Sequence, residues 1–189
     1  TTKMDYVTIA SNQSAEDFGD LSVTRDTPSG CASSVRGIVA GGFNPDGKHA
    51  SIDYITFTTT GNAQDFGDLS LGKDNASMAS NSTRGIFGGG RNPSNAAINV
   101  IEFITIASTG NAQDFGDLLQ VRAGSRGAAS STRVVFGGGY NPSGSPVNDF
   151  TNGAIEFVEI ATTGNGQGFG DLSLNREQAA GCSNGHGGL

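Results

Sequence analysis

The pentapeptide DFGDL stands at 17–21, 65–69 and 114–118, and a fourth copy, GFGDL, at 168–172. Its phenylalanines, Phe18, Phe66, Phe115 and Phe169, are 48, 49 and 54 residues apart. A unit that recurs at this spacing is one supersecondary motif made four times, and periods near fifty belong to propellers and arrays. A chain of 189 residues holds one well-buried domain or two small ones. A repeat running from end to end favours one, so 1–189 is read as a single domain.

Thirty glycines, no tryptophan and 15% charged residues exclude a protein of long helices, since glycine costs about 1 kcal/mol in a helix interior. The chain reads as all-β. Eighteen acidic against eleven basic residues give a net charge of -7, which opposes nucleic acid and anionic membranes where no basic patch offsets it. No such patch is visible, and no apolar run approaches the ~18 residues of a membrane span. The start, TTKMDY, lacks the layout of a signal peptide. The chain is expected to be soluble, and its first residue, threonine, reads as that of a processed product or a fragment.

Each repeat carries the same parts in order. MDYVTIA (4–10), IDYITFT (52–58), IEFITIA (101–107) and IEFVEIA (155–161) place an acid, an aromatic and two further apolar residues in fixed positions. Both faces of such a strand carry apolar groups, which suits a strand packed between neighbouring sheets. A Gly-Asn turn follows, then the DFGDL strand. Seven residues past each Phe lies a base, Arg25, Lys73, Arg122 or Arg176, and then a run of small residues that belongs where backbones crowd, as at the axis of a narrow ring. A strand ending in glycines comes next (37–42, 85–90 and 134–139), and the connection after it varies most between repeats.

This order of parts resembles the kelch motif: a small-residue strand, a hydrophobic strand ending in Gly-Gly, an aromatic-bearing strand, then a strand with an aromatic shortly before Leu. Laid out on that motif, the residues make blades at 30–70, 77–119 and 127–174, and a four-bladed kelch-like β-propeller is expected. A fourth blade is expected from 179–189 together with 4–23, closing the ring with strands from both termini. The alternative is a piece of a larger ring, or assembly with further copies.

Cys31 and Cys182 each lie thirteen residues after their Phe and are candidates for a disulfide, against the plainer reading of two buried thiols. His49 and His186 are too few for a metal centre, so no metal and no cofactor are expected. The acids of DFGDL and the bases Arg25, Arg84 and Arg133 recur in several repeats, whereas catalytic sites are single constellations. A structural role is expected for them, with Asp capping turns and Arg bonding carbonyls or a neighbouring acid. No nucleophile elbow, zinc spacing or phosphate loop occurs, and the chain is read as not an enzyme.

The variable connections begin at Phe43, Arg91 and Tyr140, residue types enriched in binding hot spots, and these three are the candidate ligand-binding residues. The alternative is that they cover sheet edges. The wording TTGNAQDFGDL and FGGGYNPS is also similar to bacteriophage repeat proteins, particularly marine ones. That resemblance implies a virion location and a non-enzymatic tail-fibre or appendage module that contacts other virion proteins and a host-surface glycan or protein receptor. A decoration or spacer protein is the second reading, and a carbohydrate-active enzyme the third.

Overall fold

A computed structural model describes residues 1–141 and 153–183. Sixteen strands and no helix occur among them, in five antiparallel sheets. The first sheet pairs β1 (Lys3–Tyr6) with β2 (Glu16–Asp20). Sheet I is formed by β3 (Ser29–Ala32), β4 (Arg36–Ala40), β7 (Ser51–Thr56) and β8 (Gln64–Asp68), and a small hairpin, β5 (Phe43–Asn44) with β6 (Gly47–Lys48), projects from it. Sheet II contains β9 (Ser77–Ser80), β10 (Arg84–Gly88), β11 (Ile98–Thr105) and β12 (Gln113–Arg122). Sheet III contains β13 (Arg126–Ala129), β14 (Arg133–Gly137), β15 (Ala154–Glu159) and β16 (Gln167–Asp171). In all three the strands lie in chain order, which puts the small-residue strand innermost and the DFGD strand outermost.

The apolar core lies between successive sheets rather than within one. Ile38, Ile52 and Phe66 of sheet I meet Met78, Phe87, Ile104 and Ile106 of sheet II. Ile86, Ile101 and Phe115 of sheet II in turn meet Val134, Phe136, Val158 and Ile160. Residues 101–104 are all buried because a middle strand offers one face to each neighbouring sheet, as the IEFI pattern predicts.

Successive sheets are also joined by one hydrogen-bonded turn, repeated. Gly61 N–H donates to Phe18 O, Gly110 N–H to Phe66 O and Gly164 N–H to Phe115 O, each at 2.7 Å. The turn asparagines then cap the next residue but one: Asn62, Asn111 and Asn165 accept from the backbone N–H of Asp20, Asp68 and Asp117 through Oδ1. The turn approaches so closely that only glycine fits between Phe and Asp. A Cβ on Gly19, Gly67 or Gly116 would collide with the carbonyl group of the incoming turn, and all three hold φ between 141° and 146°.

At the two ends this pattern stops. Phe18, Phe66 and Phe115 are 8%, 2% and 2% exposed, but Phe169, expected to be buried like them, is 58% exposed because no turn packs against it among the described residues. The expected strand over 4–10 is shorter, Lys3–Tyr6, and leaves Val7 and Ile9 in solvent. No strand forms over 179–183, and the rest of the expected closing segment, 184–189 with His186, lies outside the described residues. Asn75 N–H donates to Thr27 O, Gly124 N–H to Asn75 O and Gln178 N–H to Gly124 O, so the segment entered at Gln178 continues the ladder of the inner strands. All four residues stand at the same place in the repeat and hold positive φ. No helix among the described residues is long and apolar enough to cross a membrane.

Candidate functional site

The bases seven residues past each Phe have a structural task. Arg25 pairs with Asp53 at 3.1 Å, Lys73 with Glu102 and Arg122 with Glu156, each cation reaching from one repeat to the acid of the next, and all six groups are buried. Burial holds the Arg25, Lys73 and Arg122 pKa values below their usual range, with the partner carboxylate opposing that shift. Burial also pushes the Glu102 carboxyl upward, but the charge of Lys73 and hydrogen bonds from Lys73 and Ser70 outweigh it and hold the group below its ordinary value. Backbone donors complete each acid: Ser22 N–H to Asp53 (3.0 Å), Ser70 N–H to Glu102 (2.7 Å) and Leu119 N–H to Glu156 (2.6 Å). These pairs are repeated and buried, so they clamp sheets together; Nε of Arg25 and of Arg122 has no partner among the described residues.

The second set of arginines behaves similarly. Arg36 donates to Ile106 O (3.0 Å) and Arg84 to Ile160 O (2.7 Å), each from one sheet to the next, and each lies over an aromatic ring of its own sheet. Arg133 instead pairs with Glu159 in its own sheet. Asp17 accepts the N–H of Gly19 at 3.1 Å, a local turn cap. The structural reading of the repeated acids and bases is therefore the one the geometry supports.

Phe43, Arg91 and Tyr140 occupy one equivalent position, each in a backbone bridge with the residue eight past the preceding Phe: Asp26, Asp74 and Ala123 respectively. Phe43 is 36% exposed. Arg91 is committed, gripping the buried Asp74 through Nε and Nη2, and hydrogen bonding to Asp74 raises its pKa further. Lys48 Nζ reaches the same carboxylate at 3.3 Å and also donates to Asn92 O and Asn95 Oδ1, tying the β5–β6 hairpin to the 92–95 loop. Tyr140 lies against Gly124, and burial raises its phenol pKa. Arg91 and Tyr140 are thus neighbours around Asp74, while Phe43 stands at the same position of the previous sheet. Most of the connection beyond Tyr140, expected over 140–153, lies outside the described residues.

Beside these positions the inner strands surround an axial cavity of 280 Å³ lined by residues of β3, β9 and β13 and by Gly181. A second cavity farther along the same strands, 150 Å³, is lined by both Cys31 and Cys182. The two cysteines are free. Cys31 turns its sulfur toward Gly85 of sheet II, away from the axis, and burial pushes its thiol up to about 12. Among the described residues no group of three His, Cys, Asp or Glu side chains is arranged to hold a metal ion.

Sequence reading missed two features. The acids Asp53, Glu102 and Glu156 carried a signal, a charge kept at one place in an otherwise apolar strand, 28, 29 and 34 residues after its base. Arg126 also carried one: eleven residues past Phe the other repeats have Ser29, Ser77 and Ala180, so a long cation breaks the small-residue rule there. Compared with known protein families and with curated proteins, the chain matches none.

Proposed function

We propose that this chain is a non-catalytic binding module of a bacteriophage virion, built as a closed four-bladed ring whose loop end contacts a host-surface glycan or protein. What supports the function is the contrast between two parts of the repeat. The junctions between sheets are alike residue by residue, which makes a rigid scaffold, while the residues that open the loops at one end, Phe43, Arg91 and Tyr140, differ in kind. The virion setting rests on the resemblance of the repeat wording, TTGNAQDFGDL and FGGGYNPS, to phage repeat proteins. Arg91 favours the second reading, a spacer or decoration protein, at its own position, because Asp74 already occupies most of its donors.

Closure rests on the unfilled halves of a fourth junction. On sheet III, Gly170 holds φ 149° like its counterparts, yet nothing lies within 4 Å of where its Cβ would be. Arg176 stands where Arg25, Lys73 and Arg122 stand, exposed and without a carboxylate among the described residues. On the N-terminal pair, Asp5 occupies the place of Asp53, Glu102 and Glu156, and it too is exposed. The two faces match in position and sign, and β1–β2 seated on β16 would join them.

Two experiments test this reading. Purified chain is immobilised and probed with lipopolysaccharide, capsular polysaccharide and outer-membrane protein preparations. Replacing Phe43, Arg91 and Tyr140 together by Ser should abolish binding, whereas replacing Asp17 and Asp65 on the outer strands should not. Equal binding by both variants removes the loop face from the function. For closure, Arg176→Asp should lower the urea midpoint and Asp5→Arg in the same chain should restore it. A double variant no better than either single one, or a chain that runs as a concentration-dependent oligomer, replaces closure within one chain by contact with further units.

A further inference from the structure

We propose that the axial cavity is a binding site for a single anionic group, a carboxylate or a phosphate, held by Arg126. It deepens the binding-module reading by naming the chemistry of a ligand, and it depends on that reading for its biological use only. The cavity adjoins the loop face: Thr27, in its wall, follows the Asp26 bridged to Phe43, and Tyr140 packs on the Gly124 of the axial ladder.

Three observations carry the assignment. Arg126 is the one charged residue in the cavity wall, which holds no acid among the described residues; its other polar side chains are neutral, from Thr27, Ser29 and Asn75. In a chain of net charge -7, a pocket with only a cation is a local reversal of sign that favours anions there over the rest of the surface. The guanidinium is also uncommitted. Arg25, Arg91, Arg122 and Arg133 pair with carboxylates, and Arg36 and Arg84 bind carbonyls of the next sheet. Arg126 donates only Nη1–H to the adjacent Ser125 O at 2.9 Å, and Nε and Nη2 have no partner among the described residues. Those two nitrogens form the edge of the guanidinium fork that matches the paired oxygens of a carboxylate or phosphate.

The position itself is the third observation. The inner strands hold small residues because backbones crowd at the axis, so that a Cβ on Gly181 would strike Gly127 O and one on Gly127 would press on Ala79. A long, rotamer-rich side chain in that setting loses conformational freedom and gains no ion pair among the described residues. The other three repeats put Ser29, Ser77 and Ala180 there. Repeated residues in this protein build the scaffold. Arg126 departs from the repeat in the cavity that sheets I, II and III share, which is the arrangement of a single site on a repeated frame. The cavity volume, 280 Å³, admits an anion or the carboxylate end of an acidic sugar.

The test is a titration followed by ¹H–¹⁵N NMR, using inorganic phosphate, glucuronate and, as the neutral control, glucose. Saturable shifts of Gly30, Gly127, Gly181 and the Arg126 Nε–H with phosphate or glucuronate, and none with glucose, are expected. Shifts with glucuronate alone assign the anion to a saccharide, and shifts with phosphate alone to a phosphate group; either supports the site. Arg126→Ser, which installs the residue found at positions 29 and 77, should weaken binding at least tenfold without lowering the melting temperature, and Arg126→Lys should retain part of it. No saturable shift with either anion, equal shifts with glucose, or unchanged affinity in Arg126→Ser overturns the proposal. Loss of receptor binding on changing Phe43, Arg91 and Tyr140, with the anion titration negative, would leave the loop-face reading standing and remove this site alone.

Discussion

Glu102→Gln and Glu156→Gln should be equally damaging at neutral pH and diverge as pH rises. Each removes the negative partner of a cation that is no more than 1% exposed, Lys73 or Arg122. Breaking a buried pair in this way leaves one charge without compensation and costs about 3–5 kcal/mol. The amide can still accept the N–H of Ser70 or Leu119, so the loss is that of charge more than of hydrogen bonding. Lysine has an escape that arginine lacks. Burial already lowers the pKa of Lys73, and without Glu102 it falls further, so the amine folds in neutral form. The price of folding is then that of deprotonating a lysine that is charged in the unfolded chain. A lowered folded pKa means the unfolded state binds the extra proton, so stability recovers with rising pH by up to ~1.4 kcal/mol per unit until the unfolded lysine itself titrates. Arg122 stays charged throughout, so the Glu156→Gln penalty should be flat. Urea unfolding at pH 7, 8 and 9 reads both from the midpoints, provided the m-values agree. Parallel pH dependence in the two variants would refute the reasoning, as would a penalty below ~1 kcal/mol for either, because both outcomes require water to reach these pairs.

Phe66→Ala should cost about 3–5 kcal/mol by urea unfolding, the burial of the ring plus the cavity left between sheets I and II. Gly67→Ala should be far more destabilising than Gly170→Ala, because the two glycines share a positive φ but only Gly67 faces an incoming turn in this structure; equal losses in melting temperature would place a turn against Gly170 too. Because Glu102 sits below its ordinary pKa, it contributes stability that is present above the unfolded carboxyl value and is lost as pH falls through the lower folded one. Urea midpoints should therefore fall below about pH 4.5, and less steeply in Glu102→Gln. Iodoacetamide at pH 8 should label the exposed Cys182 quickly and Cys31, its thiol raised to about 12, only on unfolding; mass spectrometry of the modified peptides decides it.

The strand order was legible in the sequence because each strand class has its own composition. Small residues at 77–80, the apolar run ending in glycines at 84–90 and the acid-aromatic pattern at 101–106 can be assigned without seeing their partners, and their order in the sheet is their order in the chain. Burial of Phe18, Phe66 and Phe115 followed from the same repeat. The repeat could not reveal where its own contacts cease. Phe169 has the local sequence of a buried residue, and it is 58% exposed with no turn packed on it among the described residues. The pairing of Lys73 with Glu102 was hidden for a related reason. The two residues are 29 apart, Lys73 in the connection between sheets I and II and Glu102 in β11, so no local pattern joins them, although each is visible as a charge fixed in the repeat. The axial ladder left less trace still, since Thr27, Asn75, Gly124 and Gln178 share positive φ without sharing chemistry.

The construction also explains how so glycine-rich a chain holds its shape. No sheet encloses a core of its own; each is stabilised by the apolar face, the buried ion pair and the inserted turn that it shares with the next. In such an array stability is carried by nearest-neighbour interfaces, and the units at the ends, lacking one neighbour, are the least stable. The exposed Ile9 and Phe169 mark those ends. Of the counterparts of Ile9, Ile106 and Ile160 are 1% exposed, each packed against the preceding sheet, while Phe57 of sheet I is 46% exposed. On the proposed closure, the fourth junction supplies a whole interface at once, and the stability of β1–β2 and of sheet III should rise together when it forms.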